Sequence, residues 1–256
     1  MKRKGAILFI CLWALVILSI FSLGIANRVN SEMQLARYLR DSVISLYCAY
    51  AAQNLALLGL QKDTTPNFYS YSELQKKQTG QLGIGSFTFN FSDEEGRINI
   101  NTADKSTIQR LPGLNEELAQ AIIESGLRPF VRKEEILLAK GITKEIFLQF
   151  KDLVTVYGSG PVNINTASEE VFKVLGLPDD TVEAILNYRK GEDGEEFTDD
   201  DRAYASLPPY VPANLFGTAS NYLRLNISTD VLGKKVKDYY ITFEVSSGRI
   251  RIWQEV

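Results

Sequence analysis

The hydrophobic pattern begins at once. Lys2, Arg3 and Lys4 precede Gly5, and from Ala6 to Ala26 the chain carries no charge. As a helix that run covers about 30 Å, the thickness of a bilayer core. The basic residues ahead of it keep the N-terminus cytoplasmic and place the bulk of the chain across the membrane. A cleaved secretory signal would have a shorter apolar core, roughly 7 to 15 residues, and a small-x-small cut site. Here Arg28 and Asn30 follow the run, and the apolar pattern continues. Val29, Ala36, Val43, Tyr50 and Leu57 recur every seven residues, with Leu39 and Leu46 beside them, a stripe for packing. The pattern predicts one helix from Ala6 to about Leu60, half in lipid and half in a folded domain. The alternative is a plain anchor followed by a separate helix.

After Leu60 a polar stretch with Pro66, Gly80, Gly83 and Gly85 reads as loop. Phe87, Phe89 and Phe91 then alternate with polar residues, which predicts a strand with one buried face. Ser92 to Gly96 is turn chemistry, and Arg97 to Ile100 is expected to return as a second strand. Near the C-terminus Tyr222, Leu223, Leu225 and Ile227 form one strand and Tyr239 to Val245 another. Ser246-Ser247-Gly248 then turns into Arg249 to Gln254 as a hairpin. Strands therefore lie on both sides of a middle segment of about 110 residues.

That middle is duplicated. Asn99, Asn101, Thr102, Ala103 and Leu111 match Asn163, Asn165, Thr166, Ala167 and Leu175 at an offset of 64. With one deletion, Ala121-Ile122 matches Ala184-Ile185. In each copy a short extended piece ends at Asn-Thr, side chains expected to cap a helix. Thr166 and Glu169 have capping-box spacing; in the first copy Lys105 holds the glutamate's place. The first helix stops at Pro112-Gly113 or Gly176, and a second follows.

The repeat resembles the helix-hairpin-helix unit, and its first copy, Ile98 to Val156, resembles the DNA-binding domain of competence receptors. Such hairpins hold a phosphate backbone through free N–H groups of a glycine-apolar-glycine turn. Here the turns are Gly113-Leu114-Asn115, followed by Glu116 and Glu117, and Gly176-Leu177-Pro178, followed by Asp179 and Asp180. Each lacks the second glycine, Pro178 has no N–H, and carboxylates stand where phosphate would dock. From Arg97 to Leu207 there are 13 Lys+Arg and 20 Asp+Glu, a net −7, and the remainder of the chain carries +4. Nucleic acid is not an expected partner.

The basic leader ending in glycine, with a hydrophobic helix running on into a domain, resembles a type IV prepilin. That resemblance implies cleavage between Gly5 and Ala6 by a prepilin peptidase, with methylation of the new N-terminus. Most pilins have glutamate as the fifth mature residue; Ile10 stands there. A carboxylate in lipid is costly without a partner's amine, and a subunit placed above all others meets none. Together with the Asn-Thr-Ala repeats, Leu111-Pro112-Gly113 and Ser220-Asn221-Tyr222-Leu223, this resembles the minor pseudopilin K family of type II secretion systems. The family implies an α+β fold, a long N-terminal transmembrane helix on a pilin-like antiparallel sheet with an inserted all-α domain of two helix-hairpin-helix-like repeats. The expected division is a leader at 1–5, a transmembrane half at 6–26, pilin-like parts at 27–98 and 208–256, and an insert at 99–207 with repeats 99–156 and 163–207. The implied role is structural, at the tip of a periplasmic pseudopilus, initiating and capping its assembly for export across the outer membrane. The implied partners are minor pseudopilins of the I and J type, the inner-membrane assembly platform, the prepilin peptidase and membrane lipid. The assembly helix would act through Ile10, Val29, Ala36, Val43 and Tyr50. The alternatives are a membrane-anchored helix-hairpin-helix DNA receptor and a minor pilin of a type IV pilus.

Composition adds exclusions. At 45% hydrophobic and 23% charged, with a net charge of −3, the chain is ordinary globular material with no general affinity for polyanions. It has no histidine, which removes the commonest general base and the Ser-His and Cys-His pairs. No Gly-x-Ser-x-Gly elbow or phosphate-binding loop occurs, and Glu134-Glu135 reads as a solvated helix face, so catalysis is not expected. Cys11 and Cys48 on one helix lie about 55 Å apart, far beyond disulfide reach. The acidic run Glu192, Asp193, Glu195, Glu196, Asp199, Asp200 and Asp201, with Gly191 and Gly194, reads either as a solvated loop or as a calcium loop. The family resemblance implies calcium, with Glu195, Glu196, Asp199, Asp200 and Asp201 as candidate ligands, although the spacing is not that of an EF-hand.

Overall fold

The computed structural model describes residues 3–62, 70–198 and 200–256. Helix α1 runs from Arg3 to Lys62. No proline interrupts it, and its distal half packs against a sheet. The face it buries is made of small residues, Ser45, Cys48, Ala49, Ala52 and Ala56, at the spacing of one helical stripe. Small side chains let the helix axis lie close to the strands. Gly85 marks the closest approach: a Cβ there would stand 2.6 Å from Cys48 Sγ and 2.7 Å from Ile44 Cγ2. The expected heptad stripe is a different face. Val29, Ala36, Val43 and Tyr50 are exposed, and the helix buries Ser45, Cys48, Ala49, Ala52 and Ala56 on the sheet instead.

A short helix α2 (Tyr71–Gln75), closed by a Ser70–Glu73 capping box, leads into strand β1 (Gln78–Leu82). Both fall in the stretch expected to be loop; the rest of that stretch, including Pro66, lies outside the described residues. Strand β2 (Gly85–Asp93) alternates as its phenylalanines require, with Phe87, Phe89 and Phe91 inward. From there the chain leaves for a long insert and returns as β7 (Tyr222–Val231), β8 (Lys234–Glu244) and β9 (Arg249–Glu255). The sheet is antiparallel in the order β1-β2-β7-β8-β9, so the strands flanking the insert are hydrogen-bonded neighbours, Asp93 opposite Leu223. Leu223, Leu225, Ile227, Tyr239, Ile241 and Phe243 complete the core beneath α1. The architecture is α+β: a long N-terminal helix on a pilin-like antiparallel sheet, with a helical insert.

In the insert, β3 (Ile98–Asn99), α3 (Lys105–Ile108), α4 (Glu116–Glu124), a 3-10 turn at Lys133–Leu138, α5 (Lys144–Phe150) and β4 (Val154–Thr155) form the first unit. The second has β5 (Val162–Asn163), α6 (Glu169–Val174), α7 (Asp179–Arg189) and β6 (Phe216–Gly217). Arg97 to Ile100 therefore does not return to the main sheet. Its Ile98–Asn99 pairs in parallel with β4, as β5 pairs with β6. The strand that closes the second unit lies beyond 207. Both units share one core, from Ile108, Ile122 and Phe150 in the first to Phe172, Ile185 and Phe216 in the second.

The duplicated asparagines are not helix caps. Asp104 caps α3 and Ser168 caps α6, so the expected Thr166–Glu169 capping box does not form. Asn101 instead donates from Nδ2 to the carbonyls of Phe130 (2.9 Å) and Val156 (3.3 Å) and accepts from Phe130 N at 2.7 Å. Asn165 repeats this, donating to Tyr204 and Thr218 carbonyls and accepting from Tyr204 N at 2.6 Å. A side-chain amide presents a donor and an acceptor together, so each pins two remote segments to the start of its unit.

Candidate functional site

Contacts climb α1 and β8 together. Lys237 Nζ donates to Ser42 Oγ at 2.9 Å, and the Tyr239 hydroxyl lies 2.9 Å from Ser45 Oγ. Trp253, paired with Ile241, stacks on Tyr50 with centroids 4.9 Å apart. Increasing number on β8 therefore tracks increasing number on α1. The insert joins the sheet at Asp93 and Tyr222, level with Glu244 at the far end of β8. It thus caps the end of the sheet remote from the apolar half of the helix.

That apolar half lies wholly free of the rest of the protein, and α1 is long and apolar enough to cross a membrane. Gly5 and Ala6 lie in its opening turns, and Ile10 is exposed. Val29, Val43 and Tyr50, each about half exposed, extend an apolar surface with Met33 and Tyr47 along the helix beyond the span. Tyr50 is partly engaged by Trp253.

Between sheet and insert, three consecutive acids are buried: Asp93, Glu94 and Glu95. Asp93 accepts hydrogen bonds from Thr166 Oγ1 (2.5 Å), Asn163 Nδ2 (2.9 Å) and Ser220 Oγ, and from Glu95 N at 2.8 Å. It ties the second unit and the returning chain to β2. Burial raises its pKa more than these bonds lower it. Glu94 pairs with Arg97 (2.9 Å) and Arg224 (2.6 Å) and accepts from Thr155 Oγ1 at 2.8 Å, joining the first unit to the sheet. Burial opposes its charge, but the two guanidiniums and Thr155 outweigh burial and hold its pKa below the usual value. Glu95 accepts from the backbone N–H groups of Asn221 and Tyr222; burial raises its pKa against those bonds, with the Asp93 charge adding to the rise. Gly158, at φ +90, packs directly against the Glu95 carboxylate, where a Cβ has no room. Ser92–Gly96 has the composition of a turn, and its three consecutive acids ahead of a helical segment are the signal in the sequence that it is buried.

The hairpin turns sit where expected, with Gly113 and Gly176 at positive φ. Glu116, Glu117, Asp179 and Asp180 occupy the first turns of α4 and α7, where they favour the helix dipole and oppose an anion. A further turn of this kind is Gly141-Ile142-Thr143, with Gly141 at φ +85 and Thr143 capping α5 between Lys140 and Lys144. Charge also divides unevenly. Residues 97–156 hold 9 Lys+Arg and 8 Asp+Glu, a net +1, while residues 163–207 hold 4 and 12, a net −8.

In the acidic loop, Asp200 accepts from the N–H groups of Glu192 and Asp193 and from Thr198 Oγ1. The Thr198 bond first, then these backbone donors, lower its pKa to about 2. Asp201 accepts from Phe197 N at 2.9 Å. Glu195 and Glu196 are exposed, and Asp199 lies outside the described residues. Among the described residues no group of three or more acids is placed to hold a metal ion. Of the candidate ligands, Asp200 and Asp201 fold the loop on itself.

A family model described as a helix-hairpin-helix motif matches residues 93–155, the first unit. The chain is 28% identical over 129 residues to the endonuclease/exonuclease/phosphatase family domain-containing protein 1 of Xenopus laevis, a match covering 39% of this chain and 23% of that protein. The chain thus spans under a quarter of that relative. Among solved structures it is similar to a chain in the crystal structure of the GspK-GspI-GspJ complex of the enterotoxigenic Escherichia coli type 2 secretion system. The TM-score is 0.56 at 13% identity, over 90% of this chain and 99% of that one. The fold is shared over that span.

Proposed function

We propose that this protein is a structural subunit, a minor pseudopilin of the K type, at the tip of a periplasmic pseudopilus in a type II secretion system. It is anchored in the inner membrane by the apolar half of α1, with its N-terminus cytoplasmic, and is processed between Gly5 and Ala6 by a prepilin peptidase. The observation that carries the reading is the placement of the insert. It caps the sheet end remote from the membrane span, while the helix below keeps an exposed apolar surface. A filament that grows by adding subunits at the membrane needs a free helix flank below; bulk above restricts such a subunit to the first position. Ile10 fits this placement, since a subunit with none above it has no amine to pair with. The similar solved chain belongs to a complex of GspK, GspI and GspJ, which supports other minor pseudopilins as partners. Initiation and capping of assembly follow from the first position. The test is co-purification from native membranes, with mass spectrometry of the mature N-terminus. Recovery of other minor pseudopilins and an N-methylated Ala6 is expected; an intact Met1, or the protein along the filament rather than at one end, would overturn it.

A second reading rests on the helix-hairpin-helix match and the retained Gly141 turn: a membrane-anchored DNA receptor. The carboxylates at the other two turns and the net −8 of the second unit oppose it.

A further inference from the structure

The sheet face turned away from α1 and the first helical unit enclose a polar cleft of about 790 Å³. At its floor lies Glu94, with 2% of its side chain exposed, between Arg97 at 21% and Arg224 at 22%. Lys133, at 17%, stands beside them, and burial first, then the two guanidiniums, lower its pKa. Its Nζ donates to the Lys151 carbonyl at 2.8 Å, and Asp152 is 4.0 Å away and shared with Lys151. Three largely buried cations therefore surround one buried carboxylate. Each guanidinium has five N–H donors in a fixed fork. Among the described residues, Glu94 Oε1 is the only side-chain acceptor that Arg97 or Arg224 reaches. The three cations carry more positive charge than the one carboxylate between them offsets, and the exposed fraction of each faces the cleft, where charge attracts an anion. A ligand oxyanion in the cleft would supply that counter-charge.

The walls and rim narrow the chemistry. Tyr240 lines the sheet side, and Tyr157 and Phe147 the side of the insert, surfaces suited to an apolar or aromatic neighbour. Glu134, Asp152 and Glu255 stand around the cleft and repel a polyanion, whereas one carboxylate passes between them. We infer that this cleft binds an acidic side chain on an extended polypeptide segment, its carboxylate seated between Arg97, Arg224 and Lys133. The site stands on charge geometry and holds whether or not the protein caps a filament.

The test is calorimetric titration of the full chain in detergent micelles, at low salt, with acetyl-Tyr-Glu-Leu-amide and with acetyl-Tyr-Gln-Leu-amide. The glutamate peptide is expected to saturate at about 1 mM or below, with the glutamine peptide at least about tenfold weaker. Lys133→Gln should weaken the glutamate peptide by about fivefold or more and leave the glutamine peptide unchanged. Arg132→Gln, at an exposed rim position that the fold does not need, should weaken it about twofold through lost steering. Equal affinity for the two peptides, or no effect of either variant, overturns the site. Tighter binding of inorganic phosphate or of a short single-stranded oligonucleotide overturns its assignment to polypeptide.

Discussion

Asp93, at the end of β2, accepts a 2.5 Å hydrogen bond from Thr166, which lies 73 residues further along the chain. The joint between sheet and insert is thus a buried polar contact between remote segments. Replacing Asp93 by alanine leaves Thr166, Ser220 and the Glu95 N–H without their acceptor, while Asn163 Nδ2 keeps only Ser220. Asp93→Ala is expected to cost about 3 kcal/mol, the penalty of buried donors stripped of a partner. Denaturant unfolding of the full chain in detergent measures it; a change below about 0.5 kcal/mol would show that the joint does not depend on this carboxylate.

Glu94 responds to pH in the opposite sense from its neighbours. Arg97 and Arg224 overcome burial and hold its pKa in the folded protein below the ordinary glutamate value of 4.5. The unfolded chain then binds the proton more readily. The stabilisation is complete above about pH 4.5 and is lost as pH falls through the folded value. Asp93 and Glu95, with raised values, contribute stability on the acid side that is lost as pH rises through their folded values. Glu94→Gln should therefore be less stable than the parent at pH 7, with the gap closing below about pH 4.5. Unfolding midpoints of both proteins between about pH 7 and pH 3 decide it, and a constant gap would rule out Glu94 as the source.

How far the sequence foretold this arrangement depends on the range of each interaction. Phe87-Phe89-Phe91 announced β2, and the uncharged run from Ala6 announced α1, because alternation and length are local signals. Strand β1 was hidden: Gln78–Leu82 is an exposed edge, polar and interrupted by Gly80, with no buried alternation to read. The duplicated asparagines are legible as a repeat, but their partners are not. Helix capping is the nearby task for Asn-Thr, whereas Asn101 and Asn165 bond segments 29 to 55 residues away. The acidic joint was missed for the same reason, since nothing near Ser92–Gly96 shows that Thr155, Thr166 and Ser220 fold over it.

The insert should not bind nucleic acid. Three observations carry this: the net −8 of residues 163–207, the missing N–H of Pro178, and carboxylate pairs in the first turns of α4 and α7. A gel-shift assay with the full chain at about 50 mM salt, where phosphate contacts are strongest, should show no micromolar complex. A complex whose affinity falls steeply with salt would favour the receptor reading and direct attention to the Gly141 turn.

The final prediction concerns the exposed flank of α1. Val43 is 53% exposed and lies between Ser42, which meets Lys237, and Ser45, which meets Thr229 and Tyr239, yet it makes no part of the core. Its neighbours on the buried face hold the sheet, so a change at Val43 should leave the fold intact. The helix nevertheless keeps Val29, Met33, Val43 and Tyr47 in contact with water, an apolar surface that a partner helix would cover. If two smaller pseudopilins pack there, Val43→Asp forces a carboxylate into an apolar contact with no counter-charge, at a cost of more than about 2 kcal/mol in binding. Mixed full-length subunits in detergent, followed by size-exclusion chromatography across a concentration series, read that loss as a shift in the co-elution midpoint of at least about thirtyfold. The unfolding transition of the variant alone should stay within about 0.5 kcal/mol of the parent. Co-elution undiminished by Val43→Asp would remove this flank from the assembly surface.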